Sequence, residues 1–119
     1  TSTLRLGTAV LVLPWHNPVL LAEQVATVDL LSGGRLDLGI GRGYRWSEFR
    51  GFGLPPEEAA DRFEETLDVL LRALTSDARF SHQGQYWTFR DILVEPPPAQ
   101  RPHPPVWMAA AGEASARAV

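Results

Sequence analysis

The chain begins with a continuous apolar run and goes on to a helical pattern. Residues 3–13 (TLRLGTAVLVL) are almost entirely apolar after Arg5, which is typical of a strand covered on both faces, as in a parallel sheet. Asn17 is a good N-cap, and Pro18 suits the first position of a helix. The spacing then predicts an amphipathic helix over 19–31, with one apolar face formed by Leu21, Ala22, Val25, Ala26 and Val28.

The rest of the chain repeats this succession of strand and helix patterns. Residues 35–40 (RLDLGI) predict a second strand, and 41–55 predict a long loop. Apolar residues at helical spacing from Phe63 to Leu74 predict a second helix, which begins near residues 55–58 with acidic residues in its first turn. The last part predicts a hairpin over 80–89 turning near Gly84, a proline-rich connection over 95–105, a third strand over 106–110 and a helix over 113–119.

This order of elements predicts an α/β fold. Strands separated by helices form right-handed crossovers and therefore a parallel sheet. In such folds the chemistry takes place at the carboxyl ends of the strands, in the segments that lead into the helices. We therefore expect functional residues within 8–17, 41–55 and 109–113. The hairpin and the proline-rich connection should lie on the opposite face.

Composition and charge exclude several classes of protein. The formal net charge is −3 with both signs interspersed, so the chain has no basic footprint for nucleic acid. It has no cysteine, which excludes thiolate metal sites and disulfides and fits the cytoplasm. No apolar stretch approaches the roughly 20 residues of a membrane helix. The sequence starts in a strand pattern and stops in a helical one, so we expect its 119 residues to be an internal fragment of one larger domain.

Residues 39–53, GIGRGYRWSEFRGFG, raise the question of a nucleotide-binding loop. The dinucleotide fingerprint GxGxxG needs a third glycine and an immediate helix, whereas this chain has Tyr44 in that place and a long loop after it. The sequence therefore argues against a dinucleotide fold. Two interpretations of Arg42 stay open. It is either a solvated or ion-paired arginine in a tight turn, or a fork of donors for a phosphate or an electron-rich ring. The flanking glycines would allow such a ligand to approach the backbone closely.

Other candidate residues also have two interpretations. His16 lies in the first strand-to-helix segment and is either a loop histidine or a functional group. Gly112 and Ser115 open the last predicted helix, either as a turn and a cap or as donors to an anion. Asp29 and Arg35 flank a Ser-Gly-Gly turn and predict a structural ion pair. The histidines have no metal-ligand spacing, and no GxSxG nucleophile elbow is present.

Four stretches cover nearly the whole chain: TAVLVLPWHNPVLLAEQVATVDLLSGGRLDLGIGRGYRWSEFRGFG, RFEETLDVLL, GQYWTF and PPVWMAAAGEAS. Together they resemble the luciferase-like flavin monooxygenases, the group that contains the bacterial luciferase subunits. The resemblance implies a (β/α)8 TIM barrel. This chain would supply about its third to fifth strands with their helices.

The resemblance also implies a reduced flavin at the carboxyl face of the barrel. The flavin is usually FMN, and a related branch uses the deazaflavin F420. Carried over by position, the resemblance implies that Arg42 contacts the flavin phosphate, with Tyr44 beside it. Gly112 and Ser115 fall at the family's phosphate-binding helix start.

The wall of the flavin ring is implied at Ala9, Val10, Gly41 and Gly43. Ala9 and Val10 match the place where the family often has a non-prolyl cis peptide beneath the ring. Luciferase α subunits have a cysteine where Gly41 stands and an acidic residue where Ala111 stands, so light emission itself is not implied. On the substrate side we predict Trp15, His16 and Trp46, and we predict no catalytic acid or base.

The function implied is a flavin-dependent monooxygenase that uses reduced FMN and O2 to oxidise a small organic substrate. A separate flavin reductase and a homodimer of the full-length protein are the implied partners, without nucleic acid, membrane or metal. Two alternatives stay open: an F420-dependent reductase or dehydrogenase on the same barrel, and a catalytically inactive flavin-binding fragment.

Overall fold

A computed structural model describes residues 3–109 of the chain. Its central strand, β3 (Leu36–Gly41), lies between two sets of parallel neighbours. On one side are β1 (Leu6–Gly7) and β2 (Leu11–Val12), and on the other side is β6 (Val106–Met108). The parallel sheet predicted from the order of elements is thus confirmed, and β3 is the strand around which the other elements are arranged.

Two helices cover one face of this sheet. They are α1 (Pro18–Leu31) and α3 (Ala59–Thr75). Alternate residues of a strand share a face, so β3 presents Leu36, Leu38 and Ile40 to the helices, and all three are buried. The helical side of the core is formed by Leu21, Ala22, Val25, Ala26, Phe63, Leu70, Ala73 and Leu74.

The start of α1 confirms the prediction from the sequence. Asn17 Oδ1 accepts the N–H groups of Val19 at 3.0 Å and Leu20 at 3.1 Å, which satisfies two donors that the helix itself leaves unpaired. Val28, however, is 43% exposed, and other apolar side chains of this helix are exposed as well. Helix α1 is therefore less amphipathic than predicted. Within residues 3–109, no helix has the length and apolar character needed to cross a membrane.

Asp29 is fully buried, and its partner is not the predicted Arg35. Its carboxylate accepts the N–H and the side-chain Nε2 of Gln100, both at 2.8 Å. Gln100 Nε2 also donates to Leu36 O at 2.7 Å, and Arg35 Nε donates to Ser32 O at 2.6 Å. The predicted ion pair is therefore wrong. The same contacts place the proline-rich connection at the amino end of β3, on the face where we expected it.

The predicted single strand over 3–13 is wrong, because a bulge divides it into β1 and β2. Residues 8–10 on this side face only residues 38–39 of β3, so the bulge contains one extra residue. The Ala9–Val10 peptide bond within it is cis, which confirms the implication of the resemblance. Thr8 Oγ1 donates to Gly39 O at 2.7 Å and accepts Gly39 N–H at 2.9 Å, so a side chain replaces backbone pairing that the bulge interrupts.

The segment after β3 is not the continuous loop predicted over 41–55. It contains a short helix, α2 (Trp46–Gly51), whose one buried residue is Phe49, and a 3-10 turn (Pro56–Glu58) that leads into α3. A single buried aromatic residue leaves too little periodicity in the sequence to predict so short a helix.

The predicted hairpin is confirmed as β4 (Phe80–Gln83) and β5 (Thr88–Ile92), which pair antiparallel. Its turn is closed by Gly84 N–H donating to Trp87 O at 2.8 Å. The turn packs against Glu65, in the second turn of α3. Because α3 starts at the carboxyl side of the sheet, the turn of the hairpin reaches back towards that side. This corrects the prediction that the hairpin lies on the opposite face.

Gly39 faces the bulge without room for a side chain, because a Cβ there would collide with the carbonyl oxygen of Thr8. We expect Gly39→Ala to lower the free energy of unfolding of the complete protein by about 2–3 kcal/mol, since only a shift of the strands relieves such overpacking. Gly7→Ala is the matched control, because its added Cβ lies 3.6 Å from the nearest atom, Asp37 O. Urea denaturation measures both variants, and equal losses of stability would contradict this account of the bulge.

Candidate functional site

The carboxyl ends of β2, β3 and β6 meet at one edge of the sheet. Val12 is paired with Gly41, and Ala109 N–H donates to Ile40 O at 3.1 Å. Two of the segments predicted to carry function, 8–17 and 41–55, leave the sheet at this edge, and of the third segment the structure describes only Ala109, which lies here as well. This arrangement brings the residues after β2 and those after β3 together as one candidate site.

The glycines of this site are explained by contacts within the chain. A Cβ on Gly41 would lie 2.9 Å from Val10 Cγ2. Gly43 has a φ of +86°, and a Cβ there would lie 2.8 Å from Phe49 Cε2 and 2.9 Å from Val12 Cγ1. Packing of the bulge and of α2 thus requires both glycines, and the glycine pattern alone is no evidence for a ligand.

Arg42 is a residue of this site with unused hydrogen-bonding capacity. Its Nε is buried and has no hydrogen-bond partner among residues 3–109. Its guanidinium carbon lies 5.3 Å from the ring centre of Phe63, and its NH2 nitrogen lies 3.8 Å from Glu64 Oε1. The Glu64 side chain is 67% exposed, and such surface pairs contribute only about 0–1 kcal/mol. The guanidinium therefore remains available to a stronger anion.

Trp15 packs against α2. Its ring centre lies 4.8 Å from that of Phe52 and 5.7 Å from that of Phe49. Its Nε1 is buried, and together with Arg42 Nε it is one of two such side-chain atoms without a partner in the part of the chain that the structure describes. Both are donors, and leaving a buried donor unpaired costs about 1–3 kcal/mol. The arrangement therefore favours a ligand that offers acceptor oxygens.

The remaining predicted residues differ in exposure. Tyr44 and Trp46 are 81% and 62% exposed, and Val10 in the bulge is 41% exposed. Ala9 is exposed beside it. His16 is partly buried in the segment between β2 and α1, where its backbone N–H donates to Leu13 O at 3.0 Å. Gly112 and Ser115 lie outside the described residues.

Sequence reasoning missed the residues that hold Arg42 and α2 in place. The helical spacing marks Phe63 only as an apolar residue of α3, and nothing in the sequence pattern singles out Glu64 or Phe49. Gly39, which accommodates the bulge, had a signal: a glycine inside a strand pattern often marks a close approach of another backbone.

Comparison with known proteins places the chain in a family. Residues 1–119 match the sequence model of the family described as luciferase-like monooxygenase. The chain is 36% identical, over 92% of its length, to the oxygenase component of the flavin-dependent trigonelline monooxygenase of Acinetobacter baylyi, and covers 31% of that protein. It is 32% identical, over 97% of its length, to the FMNH2-dependent dimethylsulfone monooxygenase of Pseudomonas putida, and covers 32% of that protein.

A solved structure agrees with this assignment. The fold matches the monooxygenase RslO1 from Streptomyces bottropensis with a TM-score of 0.88 and 33% identity, over 96% of this chain and 35% of that one. The observed α/β architecture is therefore a segment of a TIM barrel. The chain spans about a third of the length of these relatives.

Burial lowers the pKa of His16 from its ordinary value of 6.5. The pKa of His16 is lower in the folded protein than in the unfolded chain, so the unfolded chain takes up the proton more readily. Protonation of His16 therefore lowers the free energy of unfolding as the pH falls through 6.5. We expect an NMR titration of the complete protein to give His16 a midpoint below 6.5. We also expect His16→Gln to lose less stability than the parent protein between about pH 7 and 5. A midpoint at or above the ordinary value would contradict the burial seen here.

Proposed function

The chain belongs to the luciferase-like monooxygenase family, and we propose that the complete protein is a flavin-dependent monooxygenase. It uses reduced FMN and O2 to oxidise a small organic substrate. The observation that carries this proposal is Arg42, a cation at the carboxyl end of the central strand with a buried Nε that has no partner within the described residues.

The residues present fit the phosphate of FMN. A guanidinium offers a planar fork of donors that matches phosphate oxygens, and such charge-assisted bonds are about twice as strong as neutral ones. The ring of Phe63 lies against the guanidinium of Arg42 and holds its plane. In this proposal Gly112 and Ser115 donate to the same phosphate from the segment that follows β6.

The bulge and the segment after β3 form the wall beside the flavin ring in this proposal. Val10 lies directly beside Gly41, and Ala9, Gly43 and Tyr44 complete the same wall. When bound, the reduced flavin supplies the electrons for activating O2, and the protein contributes position and environment. The aromatic contacts of Trp15 with α2 keep water from one side of the site.

The substrate side is proposed at Trp15, His16 and Trp46. Burial lowers the pKa of His16, so its imidazole is neutral at neutral pH and one ring nitrogen is free to accept a proton or a hydrogen bond. Trp15 Nε1 donates to an acceptor atom of the substrate. The names of the two relatives include trigonelline and dimethylsulfone, which supports a small polar organic substrate for this protein as well.

The partners follow from the same proposal. One relative is named as an oxygenase component, which supports a separate flavin reductase that delivers the reduced cofactor. We also propose that the full-length protein is a cytoplasmic homodimer. Gel filtration of the complete protein, and assays of substrate-dependent O2 consumption with an added reductase, test these points directly.

Arg42→Ala in the complete protein tests the phosphate contact. We expect it to weaken FMN binding by about 10- to 100-fold, because loss of a charge-assisted hydrogen bond costs about 1.5–3 kcal/mol. Riboflavin, which lacks the phosphate, should bind equally well to both proteins. Arg90→Ala is the matched control, since Arg90 is exposed on β5 and should leave both affinities unchanged. Fluorescence titration under anaerobic conditions measures them.

The same titration separates FMN from F420. Unchanged FMN affinity in Arg42→Ala would show that Arg42 belongs to a tight turn and not to a phosphate site. Tight binding of F420 without binding of FMN would overturn the proposed cofactor and favour a hydride-transferring reductase or dehydrogenase. Binding of FMN without any oxygenation would favour a flavin-binding protein without turnover.

A further inference from the structure

We propose that the β4–β5 hairpin braces the second turn of α3 and so positions Arg42. In this proposal Glu65, which lies against the hairpin and not at the flavin site, sets the affinity for the flavin phosphate. The inference rests on the phosphate-binding role proposed for Arg42. It assigns Glu65 as a positioning residue.

Glu65 fastens the hairpin to α3 through four donors. Its Oε1 accepts the N–H of Gln85 at 2.9 Å and of Tyr86 at 3.1 Å. Its Oε2 accepts the N–H of Trp87 at 2.8 Å and His82 Nε2 at 3.0 Å. Burial alone would raise the pKa of Glu65, but these hydrogen bonds outweigh it and lower the pKa. The carboxylate is therefore ionised at neutral pH. The N–H of Tyr86 also lies 3.4 Å from Oε2, so both oxygens share this donor.

Gly84 leaves the space that this contact needs. A Cβ on Gly84 would collide with Glu65 Oε2 and would lie 2.5 Å from His82 Nε2. The turn therefore closes around a carboxylate that α3 supplies. Three successive N–H groups directed at one anion form a backbone nest, and here the anion belongs to the same chain.

His82 has a defined tautomer in this cluster. Arg72 NH1 lies 3.3 Å from His82 Nδ1, and a guanidinium only donates. Nδ1 must therefore accept, so the ring proton resides on Nε2 and is donated to Glu65. The imidazole of His82 connects Arg72, two turns further along α3, to the same carboxylate.

Two further contacts join the hairpin to the same face of α3. The guanidinium carbon of Arg62 lies 4.2 Å from the ring centre of Tyr86. Trp87 Nε1 donates to Thr66 Oγ1 at 3.3 Å, and Thr66 is fully buried. Residues three and four apart share one face of a helix, so the hairpin grips residues 62, 65 and 66 together.

The residues between them face Arg42. Phe63 lies beneath its guanidinium and Glu64 beside it. One turn of α3 thus contacts the hairpin on one side and the proposed phosphate-binding residue on the other. The first turn of α3 has no side-chain cap, so tertiary contacts hold this end of the helix. A loosened hairpin would therefore allow Phe63, and Arg42 with it, to shift.

Glu65→Gln in the complete protein is the sharpest test. The amide has the same shape, but its NH2 group would face two of the four donors, so two hydrogen bonds are lost and donors oppose each other. We expect FMN binding to weaken by about 3- to 10-fold, with riboflavin binding unchanged. Glu57→Gln is the matched control, because Glu57 is exposed in the turn before α3 and its side chain has no hydrogen-bond partner among residues 3–109.

The comparison of FMN with riboflavin separates positioning from general loosening. Equal weakening of both ligands would overturn the proposal, because it would show a global effect on the flavin site. Trp87→Phe, which removes only the bond to Thr66, should give a smaller phosphate-specific loss. This second variant keeps the test decisive if Glu65→Gln does not fold.

A double variant distinguishes this proposal from the function on which it rests. In an Arg42→Ala background, Glu65→Gln should cause no further loss of FMN affinity, because the two residues act through one contact. Additive losses would overturn the brace. Loss of FMN affinity in Arg42→Ala alone, with none in Glu65→Gln, would also overturn the brace but leave the proposed function intact. No loss in either variant would overturn both.

Discussion

The close approach of Thr8 to Gly39 is the constraint on which the arrangement of this segment depends. The bulge over residues 8–10 inserts one extra residue beside β3, and it fits only because Gly39 has no side chain where the Thr8 carbonyl lies. The Thr8 hydroxyl then replaces the interrupted backbone pairing. As a result the chain resumes as β2 in a new register, and Val10 is presented beside Gly41 at the carboxyl edge. The wall of the proposed flavin site follows from this local irregularity.

The second organising element is α3, which serves the core, the site and the hairpin with different residues of the same helix. Its buried face contributes Phe63, Leu70, Ala73 and Leu74 to the core below the sheet. Phe63 also lies under Arg42, while Glu65 binds the hairpin turn. A charged residue inside such a contact is stable because every acceptor site of the carboxylate is used. In the proposed brace, this helix therefore connects the hairpin to Arg42 at the carboxyl edge.

Local patterns predicted most of the fold because they arise from residues close in sequence. The cap at Asn17, the buried stripe of β3 and the hairpin around Gly84 all follow from neighbours within a few positions. The misassigned features depend on distant partners. Asp29 is bound by a glutamine 71 positions away, and the break in the first strand depends on Gly39. The order of the elements predicted the edge of the sheet at which Arg42 lies, and the role of Arg42 stays a prediction. The contacts that hold Arg42 come from α3 and could not be read from spacing alone.

The contact between Glu65 and the hairpin has a consequence for the order of folding. Its hydrogen bonds join residues only 17 to 22 positions apart, so little chain entropy is lost in closing the loop between them. The sheet, by contrast, must bring Leu38 to Val106, and contacts so distant in sequence form slowly. The short separations therefore favour formation of α3 and the hairpin before the pairing of β6 with β3. Strand β6 would then pair with β3 when α3 already covers that strand.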